Sequence, residues 1–448
     1  MCEFGVVFCG GGPAAIGPIV HAASEGRLAD LLDRGVCIIE RDERIGPGSI
    51  GHYPITANTL GATLLRALET DAARATLGPI WRDPATLGLQ RRRRAFPRLP
   101  LVGAHLASLG SLVSQMLAAH ERCAVMTGQR VEAIQLLPDG GVAVRAARAD
   151  GATHETTAAV AVLATGGRPR ANFEQLVLAG GLALERHAGK TCHAATLIDD
   201  RDQLPPRLTA AVRETGALVV VGGSHSAWSA AWLALREPDL RGTDGRPPAI
   251  TVLHRSPVRL WFADAAMARG AAYDFDDSAD VCAGTGMVHR HAGLRADARA
   301  LATATLASAG RKPPPVRAVH LTHDRDAAAR ALDQAGAIAV AIGYDAAVPS
   351  VTLPDGSPLP LARDATGVVV TPRAQVVTAD GRALPQLLAY GLGAGLPPTG
   401  DLAGEPSYSG RVDAVRVYEA EAGRLVVETV LAARPSRTVA HLVDGSVR

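Results

Sequence analysis

Three small residues near the amino terminus have the spacing that a dinucleotide-binding turn requires. Residues 8–15 read Phe-Cys-Gly-Gly-Gly-Pro-Ala-Ala, which places Gly10, Gly12 and Ala15 in a G-x-G-x-x-A pattern. The first glycine permits a tight turn, the second lets the main chain approach a pyrophosphate, and the alanine allows close helix–strand packing. A helix starting here offers free N–H groups and a partial positive charge to the phosphates. The pattern therefore predicts a dinucleotide site.

The flanking residues supply the elements that must position this turn. The apolar run Phe4–Cys9 predicts a strand, residues 14 to about 32 predict a helix, and Val36–Glu40 predicts the next strand. Pro18 predicts a kink or an early helix end, because proline removes a backbone donor. Glu40 lies 30 residues after Gly10, at the end of the second strand. An acid at this position can accept hydrogen bonds from ribose hydroxyls.

A second, looser copy of the motif occurs in the middle of the chain. Residues 219–227 read Val-Val-Val-Gly-Gly-Ser-His-Ser-Ala, with Gly222, Ser224 and Ala227 in the key places. The next predicted strand, residues 250–253, is followed by a basic pair instead of an acid. Arg255 of this pair can bind a 2′-phosphate through two hydrogen bonds, which favours NADPH over NADH. The alternative is that Arg255 is an ordinary surface residue.

Composition restricts the protein class. The 448 residues are long enough for two or three domains, and the 46 basic and 44 acidic residues give no reason to expect nucleic acid or membrane partners. We expect no apolar stretch of the ~20 uncharged residues that a membrane span needs and no signal peptide. The six cysteines are scattered, which is typical of a reducing, cytoplasmic compartment.

Several other chemistries lack the residues they need. A disulfide reductase needs a pair of redox-active cysteines, and no C-x-x-C or C-x-x-x-x-C occurs. The cysteines also lack zinc-ligand spacing, so we expect no metal site. Residues 222–226 begin like a nucleophile elbow but end in Ser226 instead of glycine. Trp228 and Trp232, four residues apart on the second helix, are expected in the core.

Five segments together resemble the two-dinucleotide flavoproteins, and most closely the single-component NADPH-dependent flavin monooxygenases, including the N-hydroxylating amine monooxygenases. Two of the segments are the dinucleotide motifs, and the others are similar to the family's strand-end, G-x-x-x-H and A-T-G-Y motifs. These five segments are Gly10–Ala15, Ala164–Pro169, Gly189–His193, Gly222–Ala227 and Ala341–Tyr344.

The resemblance implies an α/β fold with two Rossmann-like domains, the NADPH domain being inserted into the FAD domain. The expected divisions are 1–170 for the first part of the FAD domain, 171–344 for the NAD(P)H domain and 345–448 for the second FAD part. It also implies an NADPH-dependent FAD monooxygenase that oxygenates a small molecule with O2 through a C4a-peroxyflavin. N-hydroxylation of an amine or amino acid is slightly favoured. A homo-oligomer is compatible with the sequence.

Two other functions stay open at the level of the sequence. One is an FAD oxidase or dehydrogenase with a degenerate nicotinamide site, and the other is a non-catalytic flavin-binding protein. Departures from the family pattern favour the oxidase, because His187 and Leu197 stand where the monooxygenase motif has aromatic residues. The near-complete second dinucleotide motif and Arg255 favour the monooxygenase.

The candidate site residues follow from the motifs and the resemblance. The catalytic candidates are Asn58, expected to face the flavin, and His193, expected to bond the nicotinamide ribose or amide. Each has a structural alternative, a turn for the first and a structural hydrogen bond for the second. The FAD candidates are Gly10, Gly12, Pro13, Ala14, Ala15, Glu40, Arg41, Thr165, Gly166, Gly393 and Asp401, and the NADPH candidates are Gly222, Ser224, His225, Ser226, Ala227 and Arg255.

The sequence does not identify the substrate-binding residues, since these residues come from loops without motifs. The acidic run Phe275–Asp280 is one candidate for binding a cationic amine. An exposed acidic loop is the alternative interpretation.

Overall fold

The computed structural model describes residues 3–307 and 315–433. Within these ranges the chain forms the predicted α/β fold around two main sheets, a larger mixed sheet and a smaller parallel one. The strands are β1 (Phe4–Cys9), β2 (Val36–Ile39), β3 (Ala124–Met126), β4 (Gln129–Leu136), β5 (Val142–Arg148), β6 (Thr153–Leu163), β7 (Gly167–Pro169), β8 (Val177–Leu178), β9 (Leu182–Ala183), β10 (Thr191–His193), β11 (Ala217–Val221), β12 (Ala249–His254), β13 (Val316–His320), β14 (Ala337–Val340), β15 (Tyr344–Ala346), β16 (Ser350–Thr352), β17 (Arg363–Asp364), β18 (Gly367–Val368), β19 (Gln375–Val377) and β20 (Ala383–Ala389).

The helices cover both sheets. They are α1 (Pro13–Ser24), α2 (Leu28–Asp33), α3 (Gly61–Leu65), α4 (Asp71–Leu77), α5 (Pro84–Arg91), α6 (Leu99–Ala118), α7 (Ala195–Ile198), α8 (Pro206–Thr215), α9 (His225–Ala234), α10 (Ala265–Gly270), α11 (Ala296–Leu306), α12 (Arg325–Gln334), α13 (Val415–Tyr418) and α14 (Glu421–Ala432). Short 3₁₀ turns lie at Ile50–His52, Arg66–Glu69, Gly78–Arg82, Phe173–Gln175, Leu184–Lys190, Pro238–Leu240 and Gly400–Leu402.

The larger sheet brings the first dinucleotide motif to the end of a parallel array. Its order is β16-β4-β5-β6-β1-β2-β3, and β20 adds to β6 and carries β19. The last residues of β1, β2, β3, β6 and β20 are in register, with Cys9 opposite both Ile39 and Leu163. Consequently the turns that follow these strands emerge at one edge of the sheet.

The smaller sheet is entirely parallel and has the order β10-β14-β11-β12-β13. Val221 lies opposite both Val340 and Leu253, and His193 lies opposite Val340. The same edge therefore carries the turns after β10, β11, β12 and β14. Its strands are buried on both faces, as expected for a parallel sheet covered by helices.

Two antiparallel segments join the sheets. β7 leaves the larger sheet and β15 returns to it, and Tyr344 pairs with Pro169. The guanidinium of Arg170 lies 3.5 Å from the Asp345 carboxylate beside this pair. Strands β16, β19 and β20, which follow residue 349, share one sheet with the strands before residue 164, and this supports the proposed division at 170 and 345. Those boundaries stay a prediction, and residues 434–448 of the last part lie outside the described range.

Three local expectations were wrong. The first helix ends at Ser24, and α2 begins separately at Leu28, because Gly26 adopts a left-handed φ of +68°. Pro18 lies buried within α1 and does not end it, so the early helix end is wrong, while the kink stays a prediction. Trp228 is buried in the core, whereas Trp232 is only half-buried.

The expectation about long apolar stretches was also wrong. Helix α6 has 20 residues without Asp, Glu, Lys or Arg, and it is long and apolar enough to cross a membrane. In the structure, 44% of its apolar window is buried inside the protein, where Val102, Leu106, Leu109 and Val113 join the core of the larger sheet. Helix α6 packs here as a core helix.

One buried carboxyl group gives the larger sheet domain a pH-dependent stability. Glu419 follows α13, and burial raises its pKa from 4.5 to about 8. The folded state therefore keeps a proton that the unfolded chain loses, and the free energy of unfolding falls as pH rises from about 4.5 to about 8. Below this range both states are protonated and the effect is absent.

We predict that Glu419→Gln raises the free energy of unfolding at pH 8 by up to about 4 kcal/mol and leaves it nearly unchanged at pH 4.5. Denaturant unfolding of the flavin-loaded protein at several pH values measures this. The exposed Glu121→Gln is the matched control and should show no such trend. Parallel pH curves for the wild type and Glu419→Gln would contradict the prediction.

Candidate cofactor and active site

The first glycine of the amino-terminal motif is required by the packing of the protein itself. Gly10 has a φ of +109°, and a Cβ at this position would lie 2.3 Å from the carbonyl oxygen of Ala164. The Gly10 N–H donates to the Ile39 carbonyl at 2.8 Å, and the Ala164 N–H donates to the Cys9 carbonyl at 2.9 Å. Thr165 and Gly166, two FAD candidates, follow directly beside the turn.

Gly12 differs, because nothing in the protein requires a glycine there. Its φ is −73°, and a Cβ would meet only the Gly48 Cα, at an ordinary 3.7 Å. Gly12 precedes α1 without any side-chain cap, and Pro13 is the first helical residue. The open space beside Gly12 and the uncapped helix start therefore form a cradle in which free N–H groups can meet a diphosphate.

Glu40 closes this turn onto the second strand. Its carboxylate accepts hydrogen bonds from the Gly11 N–H at 2.5 Å and the Asp42 N–H at 2.9 Å. The side chain is buried, and its remaining lone pairs are the ones available to a ribose hydroxyl. Arg41 is exposed, and its guanidinium lies 3.8 Å from the Asp42 carboxylate.

The carboxyl-terminal segment packs against the same helix. The Tyr390 hydroxyl donates to the carbonyl of Ala14 at 2.7 Å, and Ala15 is fully buried beneath the turn. Gly393 has a φ of +81°, and a Cβ there would lie 2.1 Å from the Ala346 nitrogen, so close packing on β15 explains this glycine. Asp401 is exposed, and its carbonyl oxygen accepts from Arg290 at 3.3 Å.

The second motif repeats the first. Gly222 has a φ of +143°, and a Cβ would lie 2.5 Å from the Ala341 carbonyl oxygen. Ala227 is fully buried below this turn. Ser224 precedes α9 without a side-chain cap, so the helix start is again open, and Ser226 lies half-buried in its first turn. The second unit thus offers the same kind of phosphate cradle.

His225, the first residue of α9, has two ring nitrogens that are shielded from solvent and have no partner among the described residues. Burial is the main cause that lowers its pKa to about 4, and Arg295 lowers it further. The imidazole is therefore neutral at physiological pH and can both donate to and accept from a ligand.

Arg255 lies at the carboxyl end of β12, in an exposed position among histidines. The His254 ring lies edge-on to His320 at 5.2 Å, and the His320 ring stacks on His323 at 4.0 Å. His254 also packs against the second motif. A Cβ added at Gly223 would lie 3.1 Å from the Cβ of His254. This basic edge is where a Rossmann unit places the adenosine ribose.

The two catalytic candidates lie in different surroundings. The His193 Nδ1 accepts from the Ala195 N–H at 3.0 Å, its ring packs edge-on to Tyr344 at 5.5 Å, and Nε2 has no described partner. Burial lowers the His193 pKa. Asn58 is exposed; its side-chain oxygen accepts from the Thr59 hydroxyl at 3.1 Å, and its carbonyl accepts from Arg295 at 3.0 Å.

Several residues that link the two sheets belong to no sequence motif and were not predicted as site residues. The Thr56 hydroxyl donates to the Asp297 carboxylate, and the His52 ring lies 3.0 Å from the Asp200 carboxylate. Glu405 is buried and accepts from the main-chain N–H groups of His291 and Ala292. These contacts join loops that are far apart in sequence, and an isolated Thr, Asp or Glu carries no motif.

Comparisons with known proteins were made for the whole chain, and no protein-family model matches it. The CMP-5′-(3-aminopropyl)phosphonate hydroxylase of Streptomyces rubellomurinus (strain ATCC 31215) is 36% identical over 438 residues, which cover 96% of this chain and 98% of the relative. The chain belongs to the same family as this hydroxylase, the single-component NADPH-dependent flavin monooxygenases.

Solved structures share the fold of this monooxygenase at low identity. The cadaverine monooxygenase of Erwinia amylovora, solved with FAD, has a TM-score of 0.56 and 11% identity and covers 99% of both chains. The ornithine hydroxylase of Pseudomonas aeruginosa has a TM-score of 0.52 and 12% identity and covers 95% of this chain and 98% of its own. The cofactors are FAD and NADPH, and the sequence prediction of a flavin monooxygenase is confirmed.

The residues present fit these cofactors. When bound, the flavin accepts a hydride from NADPH and then activates O2, so the protein must bind, align and shield. The two cradles sit at the ends of separate sheets, and loop 50–58 of the FAD side contacts the other side through His52, Tyr53 and Thr56. The Tyr53 and Tyr344 hydroxyls are hydrogen-bonded there, and burial raises the pKa of both phenols, which stay neutral. These contacts join loop 50–58 to the segments that follow the smaller sheet's motifs.

We predict that Gly12→Asp abolishes FAD binding without unfolding the protein. The carboxylate would occupy the cradle and repel the diphosphate, whereas the added Cβ meets no protein atom closer than 3.7 Å. The flavin-to-protein absorbance ratio and the melting temperature of the apoprotein measure the two effects.

Gly78→Asp is the matched control, because a Cβ there meets no atom within 4 Å and the site lies away from the cradle. It should keep a normal flavin content. A normal flavin ratio in Gly12→Asp would refute the assignment of this turn.

Proposed function

We propose that this monooxygenase hydroxylates the primary amine of an aminoalkyl phosphonate that is linked to a cytidine nucleotide. The observation that carries the proposal is the 36% identity to a CMP-5′-(3-aminopropyl)phosphonate hydroxylase over nearly the full length of both chains. The two glycine turns of this chain and the hydrogen bond from Thr56 to Asp297, which joins segments far apart in sequence, support the proposal. A substrate of this kind combines an oxidisable amine with several negative charges.

The acidic run at residues 275–280 does not favour a cationic-amine site. Asp276 accepts from Ser278, Asp277 from Arg269 and Asp280 from Ser407, so each carboxylate is engaged locally. A neutral amine is the form whose lone pair can take up oxygen, and a site shielded from water would favour that form because burial disfavours an ammonium ion. An acidic loop would instead favour the ammonium form.

We infer the following roles for the predicted residues. The first cradle, with Gly10, Gly12 and Glu40, holds FAD, and the second, with Gly222, Ser224 and His225, holds NADPH. The free Nε2 of His193 is available to the nicotinamide ribose or amide. Asn58 borders the reacting end of the flavin, and its loop is held by Arg295. A cytoplasmic location and a homo-oligomer stay predictions.

The direct test is turnover with the nucleotide-linked amine. Purified holoenzyme, NADPH and ¹⁸O₂ should convert CMP-5′-(3-aminopropyl)phosphonate into a product heavier by one ¹⁸O atom, detected by mass spectrometry. The analogue with a propyl group in place of the aminopropyl group should gain no oxygen. Oxidation of NADPH with stoichiometric hydrogen peroxide and no oxygenated product would contradict the proposal.

A second prediction concerns cofactor choice. Arg255→Ala should raise the KM for NADPH ~10- to 150-fold, because a charge-assisted pair contributes ~1.5–3 kcal/mol. The KM for NADH should change little, since NADH lacks the 2′-phosphate. Arg241→Ala, which removes an arginine that donates to the Gly245 carbonyl, is the control. Equal effects on both cofactors would remove the proposed phosphate contact.

A further inference from the structure

A group of arginines and aromatic rings lies in the crevice between the two sheets and belongs to neither dinucleotide motif. Arg98 and Phe96 come from the segment before α6, Trp232 and Arg236 from the end of α9 and just beyond it, and Trp261 and Arg295 from the long connection between β12 and α11. We call these six residues the Arg–Trp cluster.

The guanidinium groups of the cluster lie over its indole rings. Arg236 is 3.9 Å and Arg98 is 5.2 Å from the centre of the Trp232 ring. Arg295 is 5.0 Å from the centre of the Trp261 ring, which Phe96 meets edge-on at 5.8 Å. Such rings stack with nucleobases, and such guanidiniums pair with phosphates.

The cluster has more positive charge than its acidic neighbour balances. Asp297 lies 3.7 Å from the Arg98 guanidinium and also accepts from Thr56. Arg295 donates only to carbonyl oxygens, those of Asn58 and Arg290, and within the described chain no carboxylate lies within ion-pairing distance of it. Glu405 raises the pKa of Arg295, but its oxygens accept main-chain N–H groups.

Arg295 is therefore a half-buried cation without a direct counter-charge. Burial lowers its pKa to about 10, so it stays charged at physiological pH. A buried charge is costly unless it is paired, and an anionic ligand would supply the missing partner. The Trp261 Nε1 is also shielded from solvent and without a partner among the described residues, so a hydrogen-bond donor is available beside it.

The position of Arg295 matches the length of the proposed substrate. In a 3-aminopropyl phosphonate only four bonds separate the amine nitrogen from phosphorus, so the phosphonate must lie close to the reacting end of the flavin. Arg295 contacts Asn58, which we place at that end. From there the cluster extends to Trp232 and the exposed Arg236. The nucleotide part of the substrate would extend from Arg295 toward Trp232 and Arg236.

We propose that the Arg–Trp cluster binds the cytidine monophosphate portion of the substrate. Arg295, Arg98 and Arg236 contact the phosphonate and phosphate oxygens, and the Trp232 ring holds the guanidinium groups of Arg98 and Arg236 in place through cation–π contacts. This inference rests on the proposed function, since it takes the nucleotide-linked amine as substrate. In this proposal the enzyme recognises the substrate through its nucleotide, which lies outside the reacting centre.

The test compares Arg236→Gln, Trp232→Leu and Arg98→Gln with the wild-type holoenzyme. Isothermal titration with CMP should give a Kd that is ~10-fold or more weaker in each variant. The preference for CMP-5′-(3-aminopropyl)phosphonate over free 3-aminopropylphosphonate, measured as the ratio of kcat/KM, should fall by a similar factor. Arg246→Gln removes an exposed arginine paired only with Asp244 and is the matched control.

Three outcomes distinguish failure of the cluster proposal from failure of the proposed function. Unchanged CMP binding and unchanged substrate preference in folded, flavin-loaded variants would overturn the proposal. A KM for NADPH that rises as much as the Kd for CMP would also overturn it, because the cluster would then bind the cofactor. If the wild type oxygenates neither amine, the proposed function fails. Calorimetry with CMP still decides whether the cluster binds a nucleotide.

Discussion

Both cofactor cradles depend on one close backbone approach at the end of a parallel sheet. In the first, the turn at Gly10 passes against the carbonyl of Ala164, and in the second the turn at Gly222 passes against the carbonyl of Ala341. In each unit the turn N–H bonds the second strand, and the third strand bonds back to the first. A side chain at either glycine would push the sheet edge apart and move the helix start away from the phosphates.

The contrast between Gly10 and Gly12 separates what folding requires from what binding requires. Gly10 has a positive φ and no room for a Cβ, so the protein needs glycine there even without a ligand. Gly12 has an ordinary φ and room for a Cβ, so only an approaching ligand explains its lack of a side chain. Gly393, by contrast, is explained by its close contact with Ala346.

Chemistry in this enzyme requires the two cradles to face a common crevice, and this depends on contacts between distant segments. β7 and β15 run side by side where the chain crosses between sheets. Loop 50–58 reaches Asp200 and Asp297, and the segment at 290–292 donates to the loop at 401–405. Several of these contacts are hydrogen bonds to carboxylates, which are stronger than hydrogen bonds between neutral groups. The unpaired cation Arg295 lies within this network.

The sequence alone determined the fold class, both dinucleotide turns and the flavin monooxygenase family. These features depend on the spacing of nearby residues and on the order of strand, turn and helix, both of which can be read from the amino-acid sequence. It also predicted Glu40 at the end of the second strand, but not that its carboxylate bonds Gly11 and Asp42.

Only the tertiary structure decided the environment of each side chain. Helix α6 has a membrane-like composition yet packs in the core, and Trp232 leaves the core to lie between Arg98 and Arg236 in the crevice. Arg295 contacts Asn58 and Trp261, which come from segments far apart in the sequence. No periodicity or motif encodes such long-range neighbours, because burial and charge pairing depend on which surfaces meet after the chain has folded.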